Sequence, residues 1–266
     1  MLNLTLYKRE MKGTTKSLLI FAGVLTLYFT ITISLFDVTV GSVLNEITEA
    51  MPEIMAVVGM KATPTTLVGF ISTYLYGFLM LVFPMVFTIL CANKLIARHV
   101  DRGSMSYLLS APVKRLGIAF TQMKVLASSI FILIAYLTIM GIISSELQFP
   151  GELEIKEFIL LNIGVLCLHL FIGGICFLFS CIFSDAKYSI GFGAGIPVLA
   201  YIIQMLANAG GKVENAKYAT FFTLFNPDGI IAGEASAFLG IAILFFGAII
   251  LFASAIIIFT KKDLHV

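Results

Sequence analysis

ASAFLGIAILFFGAIILFASAIIIFT (residues 235–260) continues for 26 residues without one charged side chain. A helix rises 1.5 Å per residue, so about 20 apolar residues cross a hydrocarbon layer about 30 Å thick. This stretch alone places the chain in a membrane. Five more charge-free runs of sufficient length follow the same logic, at residues 17–36, 62–93, 125–145, 158–184 and 188–211. The composition agrees. Hydrophobic residues make up 59% of the 266 and charged residues only 12%, against about 25% charged in a soluble globule.

The expected fold is therefore an all-α membrane protein with a single transmembrane domain, residues 1–266. Its six transmembrane helices fall at about 17–36, 67–91, 121–143, 158–183, 189–208 and 236–260. The second run opens with Thr-Pro-Thr-Thr and is trimmed accordingly, and Pro84 inside it should kink that helix. No Ala-x-Ala-like cleavage site follows the first run, which reads as a retained helix.

Short loops rich in Lys and Arg stay in the cytoplasm. With both termini cytoplasmic, 13 of the 17 basic residues lie inside and 11 of the 15 acidic residues outside. Residues 93–120 then form a cytoplasmic loop, while 37–66 and 209–235 are extracellular. Residues 1–16 alternate Leu2, Leu4, Leu6, Tyr7 and Met11 with Lys8, Arg9, Lys12 and Lys16, the pattern of an interfacial elbow helix resting on anionic lipid. The net charge of only +2 gives no reason to expect nucleic acid as a partner.

Absences narrow the function. A charge at mid-bilayer costs about 2.5–3.5 kcal/mol on insertion scales and is kept for ion coupling. None occurs in the six runs, which argues against a proton- or sodium-driven carrier or a channel. His169 is the one ionisable group at depth and reads as a hydrogen-bonded packing residue, as Asn162 and Gln204 read as polar glue between helices. Gly191 and Gly195 form a G-x-x-x-G packing face followed by Pro197. No phosphate-binding loop, His-Glu-x-x-His or Gly-x-Ser-x-Gly run is present, so neither catalysis nor a metal or cofactor is expected in this chain. Cys91, Cys167, Cys176 and Cys181 all fall within spans and read as small hydrophobes.

One loop is patterned. DRGSMSYLLSAPVKR (residues 101–115) sets Met105, Leu108, Leu109 and Tyr107 at near-helical spacing, with Gly103-Ser104 as a start and Pro112 as a stop. So short a helix is unstable alone in water and must rest on neighbouring spans, the headgroups or a partner protein.

Those residues carry a resemblance. Asp101, the run Gly103-Ser104-Met105-Ser106-Tyr107-Leu108-Leu109, Pro112-Val113-Lys114-Arg115 and then Lys124 resemble the loop between the second and third spans of ABC-2 exporter permeases. Phe259-Thr260-Lys261-Lys262-Asp263-Leu264 is similar to the close of such chains. In that family the loop is a coupling helix seated in a groove of a separate ATPase subunit. The resemblance implies that Asp101, Gly103, Ser104, Tyr107, Leu108, Leu109, Pro112 and Arg115 make that contact. It implies a dimer of this chain, or a pair with a similar chain, on two ATPase subunits that bind ATP and Mg, within the lipid of the plasma membrane. It also places a pathway along the second and fifth spans, here Tyr74, Tyr76, Phe78, Met80 and Phe83 with Tyr201, Gln204 and Met205. Similar permeases narrow the outer exit with short re-entrant helices, and the aromatic cluster Phe221, Phe222, Phe225 and Pro227 is the expected outer gate. An aromatic belt at the interface is the alternative for that cluster.

The function implied is a permease subunit exporting a hydrophobic or amphipathic substrate, such as a drug or an antimicrobial or toxin peptide of the phenol-soluble-modulin kind. Two alternatives remain at this level: a non-transporting immunity or sensor protein that docks a cytoplasmic partner, and a permease for polysaccharide or lipid.

Overall fold

The computed structural model of the chain describes residues 3–36, 50–57, 59, 66–95 and 115–262. Everything regular in them is helical, and among the described residues there is no strand. Helix α1 (Leu4–Ser34) starts on Asn3, whose side chain accepts the Leu6 N–H at 3.0 Å. A short α2 (Pro52–Val57) and α3 (Leu67–Ile71) follow, then a π-helical turn (Ser72–Tyr76) and α4 (Leu79–Leu95). Next come α5 (Arg115–Gln148), α6 (Ile155–Ile182) and α7 (Ala186–Asn208). Two 3₁₀ segments (Gly211–Ala219 and Phe221–Leu224) lead through α8 (Pro227–Ile231) to α9 (Ala235–Lys261).

Among the described residues five helices, α1, α5, α6, α7 and α9, are long and apolar enough to cross a membrane. The chain is a multi-pass membrane protein. The segments Leu67–Tyr76 and Leu79–Leu95 meet at a bend of 48° and make a sixth crossing if counted as one. Large apolar side chains face outward along the spans, Leu239, Phe246 and Ile250 of α9 among them, as lipid contact demands.

The helices run past the charge-free stretches that announce them. Where the sequence separates an elbow at 1–16 from a span at 17–36, the structure has one unbroken helix from Leu4 to Ser34. Nothing between them breaks a helix: Gly13, Thr14 and Thr15 are weak formers but no proline stands among them, and both threonine hydroxyls bond back to the Met11 carbonyl of the same helix. Likewise α5 begins at Arg115 and carries Lys124 along, because a charge within the first turns reaches the headgroups by snorkelling.

α1 and α5 run parallel and in register. Asn3 N–H donates to Thr121 Oγ1 (3.1 Å), Thr14 and Ser129 hydroxyls meet at 3.4 Å, Thr26 and Tyr136 hydroxyls at 3.0 Å, and Ser34 Oγ donates to Gln148 Oε1. α6 is the central helix and packs on α4, α5, α7, α8 and α9. Lipid is as apolar as leucine, so close packing and hydrogen bonds hold such helices together, and small residues let them approach. Gly174 faces Leu251 and the Ala248 carbonyl of α9, and Gly247 of α9 faces the Phe171 ring. Phe29, Tyr76 and Phe158 join α1, the π turn and α6 through edge-to-face rings with centroids 6.4–6.5 Å apart.

The two ends of the bundle differ. At the end where α1 starts, called proximal here, Arg115 Nη1 donates to the Lys262 carbonyl (2.9 Å), and Lys262 Nζ donates to the carbonyls of Ile182 (2.8 Å) and Cys181 (3.4 Å). One cation thus caps the C-terminus of α9 and another that of α6. Burial pushes the Lys262 ammonium below the usual lysine value, with the neighbouring Cys181 acting the other way. Lys262→Met is expected to lower stability by about 1 kcal/mol, read as a lower unfolding midpoint in detergent; an unchanged midpoint would show that water caps α6 equally well.

Candidate functional site

The site forms at the distal end, around the bend. A π turn adds a residue to the helical ladder and commonly marks a functional irregularity. Here it spans Ser72–Tyr76, and Gly77 and Phe78 separate it from α4. Gly59, at φ +84°, lies backbone to backbone on Gly77: a Cβ on Gly59 would stand 2.9 Å from the Gly77 Cα, so no side chain fits there. Farther along, Pro84 removes an amide hydrogen from the α4 ladder.

Between this bend, the distal end of α7 and the 3₁₀ segments lies a cavity of about 380 Å³. The bent pair contributes Ser72, Thr73, Tyr76, Gly77 and Leu81, and α7 contributes Gln204, Ala207 and Asn208. Its distal wall is Phe222, Thr223, Phe225, Asn226 and Pro227, with the charged residues Glu214, Lys217 and Asp228. Lys217 Nζ and Glu214 Oε1 are 2.8 Å apart, and that bond holds the Lys217 ammonium above its ordinary value.

Local sequence explains the wall. Asn226 accepts the Gly229 N–H at 3.2 Å and Pro227 opens α8 where no amide hydrogen is required. Gly233, at φ +73°, closes α8 with its N–H on the Ile230 carbonyl and the Glu234 N–H on the Gly229 carbonyl, a Schellman pair. The wall is sewn to α7 by one chain of polar groups: Thr223 Oγ1 is 2.9 Å from Gln204 Oε1 and donates to the Lys217 carbonyl, and Gln204 Nε2 is 2.9 Å from Asn208 Oδ1. A hydroxyl has one hydrogen. With both amides turned over, Asn208 donates to Gln204, Gln204 to Thr223 and Thr223 to the backbone, and every link is satisfied. Gln204→Leu should therefore speed amide exchange in residues 211–224 about fivefold, the loss of about 1 kcal/mol; unchanged protection would mean that the aromatic contacts alone hold the wall.

The structure gathers some of the expected residues and separates others. Phe78 and Tyr201 are 6.3 Å apart, Tyr201 and Phe222 5.3 Å, and Phe221 and Phe222 4.8 Å. These four, with Gln204, Phe225 and Pro227, form or back the cavity wall. Tyr74 packs instead on Phe70 (4.6 Å), and Phe83 points to Tyr28 of α1 (5.9 Å), away from α7. Met205 is partly buried against the core. Of the loop residues, Arg115 opens α5, whereas Asp101, Gly103, Ser104, Tyr107, Leu108, Leu109 and Pro112 lie outside the described residues, as do Asp263 and Leu264. Arg115 and Lys262, described members of the two stretches that carry the family resemblance, are joined by the bond given above.

Sequence reasoning passed over Thr223, Asn208 and Ser72. Asn208 stands four residues after Gln204, a spacing that pairs side chains on one helix face and was there to be read. Ser72 is buried, and its hydroxyl has no hydrogen-bond partner among the described residues. Deeper in, Tyr76 OH donates to Asn162 Oδ1 (2.9 Å), and the buried His169 ring lies between α6 and α4. All four cysteines are free and buried, and no cluster of metal-ligating residues occurs among the described residues.

Comparison with known protein families, curated proteins and solved structures finds no match for this chain.

Proposed function

We propose that the chain is the transmembrane permease subunit of an ATP-driven exporter of the ABC-2 kind, energised by a separate ATPase docked at residues 101–115. The observation that carries the reading is the distal cavity. It lies between the bent second crossing and α7, and its wall is a short aromatic-bearing segment held by a few side-chain hydrogen bonds. Such a wall can yield without unfolding the bundle.

The lining bears on the cargo. Gln204, Asn208 and Thr223 offer amide and hydroxyl groups, while Tyr76, Phe222 and Phe225 lie buried behind the surface and would offer apolar faces as the wall parts. That mixture fits an amphipathic molecule, such as a membrane-active peptide or a drug, better than a wholly apolar one. With both termini in the cytoplasm the cavity faces outward. ATP binding draws the docked loops together, the strain reaches α4 and α7 through α5 and α6, and the wall parts.

The test is transport in inverted vesicles containing this chain and its cognate ATPase. ATP-dependent accumulation of a fluorescent amphipathic peptide, abolished without the ATPase, is the expected result. A chain that neither retains an ATPase on purification nor supports uptake of peptide or drug is not an exporter subunit, and the docking protein of a sensor or immunity system would then take its place.

A further inference from the structure

His169 on α6 is fully buried, and both ring nitrogens face acceptors: Nδ1 is 2.8 Å from the Val165 carbonyl of its own helix, and Nε2 is 3.2 Å from the Leu81 carbonyl of α4. An imidazole with a single N–H can satisfy one of them at a time. With the hydrogen on Nδ1 the ring belongs to α6 alone. With it on Nε2 the ring ties α6 to α4, three residues before Pro84.

Seven residues earlier on the same face of α6, Asn162 holds the other arm of the bend. It accepts from Tyr76 OH at 2.9 Å and donates Nδ2–H to the Phe158 carbonyl at 2.8 Å. That grip is not shared with a competing acceptor. By side-chain hydrogen bonds, the central helix therefore holds the arm Leu67–Tyr76 through one that is uncontested and the arm Leu79–Leu95, which also packs on it, through one that must be won from α6 itself. Between the arms lie only Gly77 and Phe78, and Leu81 lines the cavity.

We infer that His169 is a releasable latch on the bent crossing: the Nε2–H tautomer ties the start of α4 to α6, and the Nδ1–H tautomer loosens that start so that it shifts about Gly77 and Phe78 and reshapes the cavity. His169 is a positioning residue, acting on the cavity through Leu81. The inference deepens the exporter reading by naming a hinge for it, yet it depends only on α4 lining the cavity, so no ATPase or cargo enters the test.

Thr73 lines the cavity and is half-buried, whereas the native cysteines are all buried, so Thr73→Cys offers a selective label for a water-soluble maleimide, with the parent protein as the blank. Asparagine at position 169 can keep the Val165 contact but is too short for Leu81; glutamine reaches Leu81. The expected result is a labelling rate about fivefold higher in His169→Asn than in wild type, as for loss of one ordinary hydrogen bond, and a rate within about twofold of wild type in His169→Gln. Equal rates in the two variants overturn the latch. A second measurement reads the wild-type ring itself: the ¹⁵N spectrum of the His169 imidazole, assigned by its absence in His169→Gln, should show both tautomers. A ring held wholly as Nδ1–H would overturn the proposal independently of any labelling.

Discussion

Gly240→Ala is expected to lower the unfolding midpoint of the purified protein by several degrees and to expose residues 211–224 to protease. Gly240 of α9 faces the backbone of Leu224, the last residue of the second 3₁₀ segment. A Cβ there would overlap the Leu224 carbonyl oxygen and stand 3.1 Å from its carbon and 3.3 Å from its Cα. Backbone atoms cannot turn aside as a side chain can, so either α9 shifts or the segment carrying Phe221 and Phe222 lifts from its seat. Overpacking of this kind costs about 1–3 kcal/mol. The matched control is Gly195→Ala: the packing face expected of Gly191 and Gly195 meets nothing within 4 Å in the chain, and the helix gains from losing a glycine. A Gly240→Ala protein as stable and as protease-resistant as this control would show that α9 and the wall are less closely joined than their geometry states.

The second large effect concerns Leu108 and Leu109, and it tests the exporter reading independently of the cavity. If both leucines enter a groove of the ATPase, each contributes about 1.5–3 kcal/mol of buried apolar surface, and replacing them by aspartate also buries two carboxylates without partners. Leu108→Asp with Leu109→Asp should weaken the complex at least about a hundredfold, so that the ATPase no longer co-purifies although the spans insert normally. Retention of the ATPase at wild-type yield would leave the loop as an interfacial support and remove the residue-level basis for a docking site.

How far the sequence carries can be judged from particular residues. Each charge-free run overlaps a helix because insertion energetics act on composition, which is local and additive; residues 235–260 correspond almost residue for residue to Ala235–Lys261. Helix ends were less legible. Arg115, Lys124 and the basic residues of 8–16 interrupt an apolar run without interrupting a helix, since their charges reach water along the side chain. The π turn at Ser72–Tyr76 has no marker of its own in STYLY, and the bond that Tyr76 makes to Asn162 of α6 is a contact no local pattern announces.

The cavity was legible in part for the same reason. Aromatic residues announced a wall, but whether Phe83 turns to α7 or to Tyr28 is decided by the direction of the bend, which no single segment encodes. The joining of Arg115 to Lys262, 147 positions away, is a property of the assembled bundle only.

The matched register of α1 and α5 has a mechanical meaning. The two helices, of 31 and 34 residues, are about 46 and 51 Å long at 1.5 Å per residue, well beyond a hydrocarbon layer about 30 Å thick. Polar pairs fasten them near each end and at points between. Two rods bolted together at intervals resist flexing far more than either does alone, because flexing requires them to slide past one another. The pair is therefore a beam, with Arg115 at its foot. A push delivered there arrives at Ser34 and Gln148 as rotation of the whole beam, at nearly full amplitude and with no helix having to deform.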